Sequence, residues 1–329
     1  AIARLLLQKQ GLKLVGAYSR RAERAGMDVG RAIGLNRNLN LSVYTDLPSL
    51  IRDTRPNLAI QATCSKLIDA GDQISVLANH SVNVISIAEE MAYPAAKFPE
   101  VAEKLHRLAL ANGISLLGTG INPGFVLDLL VIALTGVCAD IQSIFAKRVN
   151  DLSPYGPSVL KSQGVGLSID EFKQGVKNGT IAGHFGFDES IHMTAAAMGW
   201  TIDRIEQTRE PIVSGVRRET PFVRVEKGQV AGCLHTATAY RRDQPVIRLV
   251  HPQQIHPHLE GIETGDRIEI TGKPNLCLSG SPEIPGGEGT AALSVNMIPR
   301  VLNAPPGLYS MADLPVPAAL LGDVRRFIH

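Results

Sequence analysis

The strongest constraint on the fold is an alternation of short apolar segments with longer amphipathic ones between residues 12 and 118. The segments LKLVGAYS, LAIQA (58–62), NVISIA (83–88) and ISLLGTG predict buried strands, because each is a short apolar run bounded by turn-forming residues. The segments AGDQISVLANHS and FPEVAEKLHRLALANG space their apolar residues as on one face of a helix. Strands that alternate with such helices form βαβ units and a parallel sheet.

The chain opens directly on a predicted helix, AIARLLLQKQG, followed by the first predicted strand. In a doubly wound α/β domain of the Rossmann type, a strand and a G-x-G-x-x-G turn precede this helix. No such turn stands near residue 1, so we expect the first strand and the glycine-rich loop to be missing. The alternative is a fold that begins with a helix.

The pattern changes after Gly120. NPGFVLDLLVIALTGVC predicts a long apolar helix, and further strands and two helices follow among loops rich in proline and glycine. We therefore predict a dinucleotide-binding domain over residues 1–120 and an α+β domain over residues 121–329, with a mixed or antiparallel sheet, a C-terminal helix and an extended tail.

Composition excludes several classes of partner. Lys and Arg number 33 and Asp and Glu 31, too even a balance for nucleic-acid binding. No apolar run is long enough to span a membrane. The four cysteines are far apart in sequence, which argues against a disulfide framework or a zinc site and favours the cytoplasm.

Two polar turns predict the cofactor site. Ser19, Arg20 and Arg21 stand where NAD enzymes usually carry an acidic residue, and two guanidiniums with a hydroxyl suit the 2′-phosphate of NADP. NADP is therefore favoured, with NAD as the alternative, and a solvated basic turn is the non-functional interpretation. Thr63, Cys64 and Ser65 follow the 58–62 strand and predict a hydroxyl-rich loop beside the cofactor, with a nucleophilic cysteine as the less favoured reading.

Glu89 and Glu90 end the next predicted strand. A carboxylate at this sheet edge can take a proton from an ammonium group or hold a cationic amine, although a polar strand exit explains the pair equally simply. Thr119 and Asn122 belong to a tight turn, GTGINPGF, which offers backbone N–H groups and an amide to a carboxamide or phosphate. A plain turn between domains is the alternative.

In the second part of the chain, Arg148 and Asn150 share one face of a predicted strand, and His184 stands between glycines ahead of a helix. The segment HPQQIHPH contains three histidines but lacks helical spacing, and its prolines break any regular element. We therefore expect no metal site.

The blocks NVISIAEEMAYP, LGTGINPGFVLDLLVIALTGVC, RVNDLSPYGPSV, AGHFGFDESI, HPQQI and LNAPPGL together make the chain resemble the 2,4-diaminopentanoate dehydrogenase family, whose relatives include NAD(P)-dependent amine dehydrogenases. The resemblance runs over essentially the whole chain. It implies a Rossmann domain akin to that of dihydrodipicolinate reductase and a second domain for substrate binding and homodimerisation. The chain lacks the His-His and Asp-Ala-Pro-Ser-Gly-Thr blocks of that reductase, which disfavours the reductase activity itself.

The reaction implied by the resemblance is oxidative deamination of an amine to a ketone and ammonia, without a metal. On this basis Glu89 and Glu90 are the candidate base and ammonium anchor, Asn150 and His184 line the substrate cavity, and Arg148 binds a substrate carboxylate. Three functions remain open: a diaminopentanoate dehydrogenase, a dehydrogenase of amines without a carboxylate, and a non-catalytic NADP-binding sensor.

Overall fold

The computed structural model describes residues 1–329, which form two compact units. The first comprises Ala1–Phe125 and Pro285–His329, and the second comprises Val126–Ile284. None of the helices is both long and apolar enough to cross a membrane. The α-helices are, in chain order, α1 (Ile2–Leu6), α2 (Val29–Ala32), α3 (Leu47–Thr54), α4 (Leu67–Asn79), α5 (Pro99–Asn112), α6 (Leu129–Thr135), α7 (Pro157–Ser162), α8 (Ile169–Lys177), α9 (Phe187–Ala197), α10 (Gly286–Asn296) and α11 (Ile298–Asn303).

Most of the fourteen strands belong to two sheets. The strands are β1 (Ala17–Tyr18), β2 (Val43–Tyr44), β3 (Leu58–Gln61), β4 (Asn83–Ser86), β5 (Ser115–Gly118), β6 (Asp140–Asp151), β7 (Arg204–Val213), β8 (Arg218–Glu219), β9 (Arg224–Val225), β10 (Val230–Arg241), β11 (Gln244–Gln254), β12 (Gly265–Lys273), β13 (Leu276–Gly280) and β14 (Gly307–Tyr309). Short 3-10 helices lie at Ala22–Arg24, Glu89–Met91, Pro94–Ala96, Pro257–Glu260 and Val324–Phe327.

The first unit is built on a parallel sheet with the order β14-β5-β4-β3, and a separate parallel pair joins β1 to β2. This confirms the predicted α/β Rossmann-type fold. Its core contains Ile74, Val84, Leu105 and Leu116, each at most 2% exposed, and burial of such a side chain stabilises the fold by about 1.5–3 kcal/mol. The predicted strand LKLVGAYS is shorter than expected, because only Ala17–Tyr18 has a pairing partner, the two-residue β2.

The C-terminal segment differs from the predicted division at residue 120. The sequence pattern predicts residues 285–329 as part of the second domain, but they pack with the first unit. The reason is that β14 pairs in parallel with β5, α11 packs on β4 and β5, and α10 packs on α1. The first sheet is therefore completed by the last part of the chain.

The second unit is an α+β structure around a mixed six-stranded sheet with the order β13-β12-β6-β11-β10-β7. Strands β6 and β11 run parallel, and the other neighbours are antiparallel. The predicted helix at SIDEFKQGVKNG is α8, which begins with a capping box between Ser168 and Glu171.

The long apolar helix predicted at NPGFVLDLLVIALTGVC is wrong in its length. Only Leu129–Thr135 is helical, because Asp128 accepts the Leu129 N–H and caps the helix there. Before it, Gly124 has a positive φ of 122°, and a Cβ at this position would overlap the backbone of Gly120. Residues 120–124 therefore form a tight turn before the helix.

Candidate active site

The carboxyl edge of the parallel sheet in the first unit collects most of the polar residues predicted for the cofactor and the base. Strands β3, β4 and β5 end there at Gln61, Ser86 and Gly118. The residues that follow include Thr63–Ser65, Glu89–Glu90 and Thr119. In open parallel sheets this edge is where ligands bind.

Gln61 organises the loop after β3, although the sequence analysis did not select it. Its side-chain oxygen accepts a hydrogen bond from Ser86 Oγ at 2.6 Å, and its nitrogen donates to Thr63 Oγ1 at 2.9 Å. The same nitrogen lies 3.1 Å from Cys64 Sγ. Thr63 in turn donates to Gln73 in α4 at 2.6 Å. The polar groups of this loop are thus fixed by bonds between two strands and a helix.

Glu89 and Glu90 lie in a 3-10 helix directly after β4 and have different surroundings. Glu89 is half-buried, and burial raises the pKa of its carboxyl group, while the Ser65 hydroxyl donates a hydrogen bond to it. A raised pKa suits a carboxylate that must exchange protons.

Glu90 is instead tied to a helix end. It is 8% exposed, and its Oε2 accepts the Leu67 N–H at 2.7 Å. Leu67 begins α4, whose N-cap residue Lys66 provides no side-chain cap. The Glu90 carboxylate therefore satisfies an N–H at the positive end of the helix dipole, which is a structural contact.

The predicted 2′-phosphate residues lie beside the Thr63 loop. Arg20 donates to the Thr63 carbonyl oxygen at 2.6 Å, and Ser19 Oγ accepts the Arg21 N–H at 3.2 Å. Arg21 is exposed, and its guanidinium makes no hydrogen bond or ion pair. The structure thus joins two segments that the sequence analysis assigned to the cofactor separately, and leaves one cation free to bind an anion.

The turn after β5 places a further polar group at the same edge. The Thr119 N–H donates to the Ser86 carbonyl oxygen at 2.9 Å, while Thr119 Oγ1 is buried without a hydrogen-bond partner. A buried hydroxyl without a partner is costly and is often satisfied by a bound molecule. Asn122 lies three residues further on in this turn, half-buried, immediately before Pro123.

A row of polar side chains crosses one face of the sheet in the second unit. Arg148 and Asn150 of β6 project from the same face, and Asn150 pairs with Gln253 of β11. His251, two residues before Gln253, pairs with His235 of β10, which pairs with Arg209 of β7. Arg148, Asn150, Gln253, His251 and His235 are each at most 6% exposed.

His184 joins this row through its backbone and its ring. Its N–H donates to His235 Nδ1 at 3.0 Å, and its ring centroid lies 4.8 Å from that of His251. Because Nδ1 of His235 accepts, the proton of a neutral ring is on Nε2, which donates to Gln207 Oε1 at 3.0 Å. The side-chain nitrogen of Gln207 in turn donates to both carboxylate oxygens of Asp188 at 3.1 Å, which extends the hydrogen-bond network.

His251 is held neutral. Burial lowers the pKa of its imidazole well below the usual range, and His184, Arg148 and His235 lower it further. The imidazole of His251 is therefore an uncharged polar group in this row, which also contains Asn150, whose side-chain oxygen is buried without a partner.

Arg148, expected to bind a substrate carboxylate, already has a partner in the chain. Its guanidinium pairs with Asp266 of β12 at 2.8 Å and donates to the Ile284 carbonyl oxygen. These two bonds use two of its five N–H hydrogens, so three remain for another acceptor. Asp266 has a raised pKa, because its burial outweighs the attraction of Arg148.

The sequence predicted no role for Gln61, Ser86, His235 and Asp266, and it singled out His251 only as one of the three histidines of HPQQIHPH. One signal was available, since His235 follows the apolar run VAGCL of β10 and His251 follows the segment VIRLV of β11, and both histidines are buried. Their pairing depends on the register of β10 and β11, which cannot be read from the sequence.

Comparison with known proteins agrees with this description. A 2,4-diaminopentanoate dehydrogenase from Acetoanaerobium sticklandii is 45% identical over 329 residues, covering 99% of this chain and 93% of that protein. The structure of an amine dehydrogenase from Mycobacterium smegmatis superimposes with a TM-score of 0.86 at 28% identity, covering 98% of this chain and 94% of that one. An amine dehydrogenase from Streptomyces virginiae is 24% identical, covering 94% and 91% of the two chains.

The parallel sheet with its polar carboxyl edge, together with these matches, defines a two-domain oxidoreductase with a Rossmann-type fold. A model of the 2,4-diaminopentanoate dehydrogenase C-terminal domain matches residues 125–329. The chain belongs to the 2,4-diaminopentanoate dehydrogenase family.

Proposed function

We propose that the protein catalyses the NAD(P)-dependent oxidative deamination of 2,4-diaminopentanoate to 2-amino-4-oxopentanoate, and the reverse reductive amination. The substrate is that named for the 45% identical relative. The observation that carries the proposal is the half-buried Glu89 carboxyl group with a raised pKa at the carboxyl edge of the parallel sheet. In the overall reaction, the substrate in its ammonium form, the oxidised cofactor and water give a ketone, an ammonium ion, the reduced cofactor and a proton.

NADP is the proposed cofactor, with NAD as the alternative. The residues of the sheet edge fit such a molecule, since Arg21 has a free guanidinium and Thr119 a buried hydroxyl without a partner. Ser19, Arg20, Thr63, Cys64, Ser65 and Asn122 would complete the contacts. When bound, the nicotinamide accepts a hydride from the amine-bearing carbon.

Glu89 is the proposed general base. Its ionised carboxylate takes a proton from the substrate ammonium group, which frees the nitrogen lone pair to support hydride loss, and then releases that proton to solvent. The same carboxylate next takes a proton from the water that adds to the iminium carbon and returns it to the nitrogen that leaves as ammonia. Glu90 holds the start of α4 and thereby the Ser65 loop that donates to Glu89. Asn150 and His184 remain the proposed substrate-binding residues.

The direct test follows reduction of NADP⁺ and NAD⁺ at alkaline pH with 2,4-diaminopentanoate and with an amine that lacks a carboxylate. We expect turnover of the diamino acid. Tight cofactor binding without reduction by either amine would contradict the proposal and favour the sensor function.

Arg148 decides between the two enzymatic candidates. Its pairing with Asp266 favours the second candidate, a dehydrogenase of simple amines, whereas its three remaining N–H groups favour a diamino acid. Arg148→Lys keeps a charge beside Asp266 but loses the planar guanidinium fork. We expect the KM for diaminopentanoate to rise about tenfold, as for the loss of one charge-assisted hydrogen bond, with the simple amine unaffected. Equal effects on both amines would make Arg148 purely structural.

Arg21→Ala is expected to raise the KM for NADP by about tenfold or more and to leave that for NAD unchanged, because only the 2′-phosphate requires the guanidinium. Initial rates with both cofactors measure this. Arg24→Ala, in the same basic turn, is the matched control and should discriminate between the cofactors as wild type does. Unchanged KM values for both NADP and NAD would show that Arg21 is only a solvated surface residue.

We also propose a homodimer in the cytoplasm. The dimer follows the family resemblance and is tested by light scattering of the purified protein. The cytoplasmic assignment is supported by the four free cysteines, Cys64, Cys138, Cys233 and Cys277.

A further inference from the structure

Two histidines of the segment HPQQIHPH lie beside a carboxylate that is distant in sequence. Asp151 ends β6, His256 follows β11, and His258 lies in the 3-10 helix Pro257–Glu260. One possible ligand atom from each residue lies within 4.8 Å of the other two. Asp151 precedes His256 by 105 residues, so no local spacing could reveal the cluster.

The hydrogen bonds of the cluster leave ligand atoms available. His256 Nε2 lies 2.8 Å from the Glu219 carbonyl oxygen, which can only accept, so the proton is on Nε2 and Nδ1 has a lone pair. Metal-binding histidines usually donate their other N–H to a carbonyl or carboxylate in this way. Asp151 Oδ1 accepts from Ser153 and from the His256 N–H, whereas its Oδ2 accepts no hydrogen bond.

The backbone of His256 is strained. Its φ of 44° is in the left-handed region, which costs a non-glycine residue about 1–3 kcal/mol. The strain is held by the hydrogen bonds from the His256 N–H to Asp151 and Ser153. Such strain persists where surrounding contacts fix a side chain in a required position.

A cavity of about 620 Å³ opens beside the cluster. Its lining includes Asp151, His258, Glu263 and Glu283 but no lysine or arginine. The nearby buried Arg218 is paired with Glu260 and with backbone carbonyls behind His256. The cavity therefore has an excess of negative charge and attracts a cation.

We propose that Asp151, His256 and His258 bind a divalent transition-metal ion of the zinc type. Two imidazoles and one carboxylate favour Zn²⁺, Co²⁺ or Ni²⁺ over Ca²⁺ and Mg²⁺, which prefer oxygen ligands alone. Ligand atoms around a tetrahedral ion are about 3.4 Å apart for bonds of about 2.1 Å, so the exposed His258 turns inward on binding. The fourth position faces the cavity. The ion ties the ends of β6 and β11 to the 3-10 helix, a role independent of the dehydrogenase reaction.

The test titrates the full chain, treated with a chelator and dialysed, with Zn²⁺ by calorimetry and with Co²⁺ by visible absorption. We expect one ion per chain, a tetrahedral Co²⁺ spectrum without a thiolate charge-transfer band, and a higher melting temperature with Zn²⁺. In His258→Ala the affinity should fall at least tenfold, because even loss of an outer partner of a ligand costs about 10–100-fold. The matched control is His80→Ala, an exposed histidine of the first unit, which should bind as wild type does.

Three results would overturn the proposal: unchanged binding by His258→Ala, no saturable binding of Zn²⁺ or Co²⁺ by the wild type, or tighter binding of Ca²⁺ than of Zn²⁺. Because calorimetry and absorption require no turnover, these results are separate from failure of the dehydrogenase assay.

Discussion

Glu89→Gln is expected to lower kcat for oxidative deamination by about 10²–10⁴-fold, because it removes the proposed base and leaves an amide that cannot take a proton at neutral pH. Stopped-flow or steady-state reduction of NADP⁺ measures the loss. The fold should survive, because burial disfavours the ionised carboxyl group and glutamine has nearly the same shape.

The matched control is Glu90→Gln. Its side-chain oxygen still accepts the Leu67 N–H, so only the charge at the start of α4 is lost, at a cost of about 0.3–1 kcal/mol of unfolding free energy. We expect most of kcat to remain. The assignment of the base would have to be exchanged if Glu90→Gln were inactive and Glu89→Gln active.

The pH profile gives an independent check on Glu89. A base must be ionised, so activity is lost as the pH falls through the pKa of Glu89. Because burial raises this pKa, we expect the acidic limb of the pH–rate profile to lie above the ordinary range of a glutamate. The contribution of Glu89 to the stability of the native state depends on pH in the opposite direction to the activity. A carboxyl group whose pKa is raised by folding stabilises the native state below its unfolded pKa, and this stabilisation disappears as the pH rises through the folded pKa. Glu89→Gln should therefore melt no lower than wild type at neutral pH.

Gly118→Ala is expected to lower the unfolding free energy by about 3 kcal/mol, at the upper end of ordinary overpacking. A Cβ at Gly118 would overlap the Met91 carbonyl group and the following peptide, and main chain cannot rotate aside as a flexible side chain can. Since Met91 ends the 3-10 helix of Glu89, the same change should displace the proposed base. Urea unfolding and kcat measure the two effects.

Gly71→Ala is the control for Gly118→Ala. Gly71 lies within α4, and a Cβ there meets no atom within 4 Å. Alanine in a helix interior is favoured over glycine by about 0.5–1 kcal/mol, so this variant should be slightly more stable than wild type. A mild effect of Gly118→Ala would mean that the Glu89–Met91 helix can move away from β5.

The parts of the fold that were predictable are those with local signals. Helices α4 and α5 and strands β3–β5 follow from apolar periodicity, and the capping box of Ser168 and Glu171 is visible in the sequence. The sequence predicts too long a helix at α6, because a continuous apolar run carries no periodic signal that marks the start of the helix. The start is set by Asp128, which caps the helix at its N-terminus.

The candidate site was predictable only at the ends of strands. Thr63, Glu89 and Thr119 could be selected because parallel strands bring their carboxyl ends to one edge. The different surroundings of Glu89 and Glu90 depend on the α4 N-terminus, 23 residues earlier. The Arg148–Asp266 pair joins residues 118 positions apart, and only the register of β6 and β12 brings them together.

The return of the chain to its first sheet has a consequence for biosynthesis. Strand β14 pairs with β5 and supplies an edge of that sheet, yet it leaves the ribosome only after residues 126–284. The second unit is continuous in sequence, so it can fold while the first sheet still lacks β14. During synthesis, the edge of β5 therefore remains unpaired until β14 has been made. A released chain that ends before Gly307 is expected to contain a folded second unit and a protease-sensitive first unit.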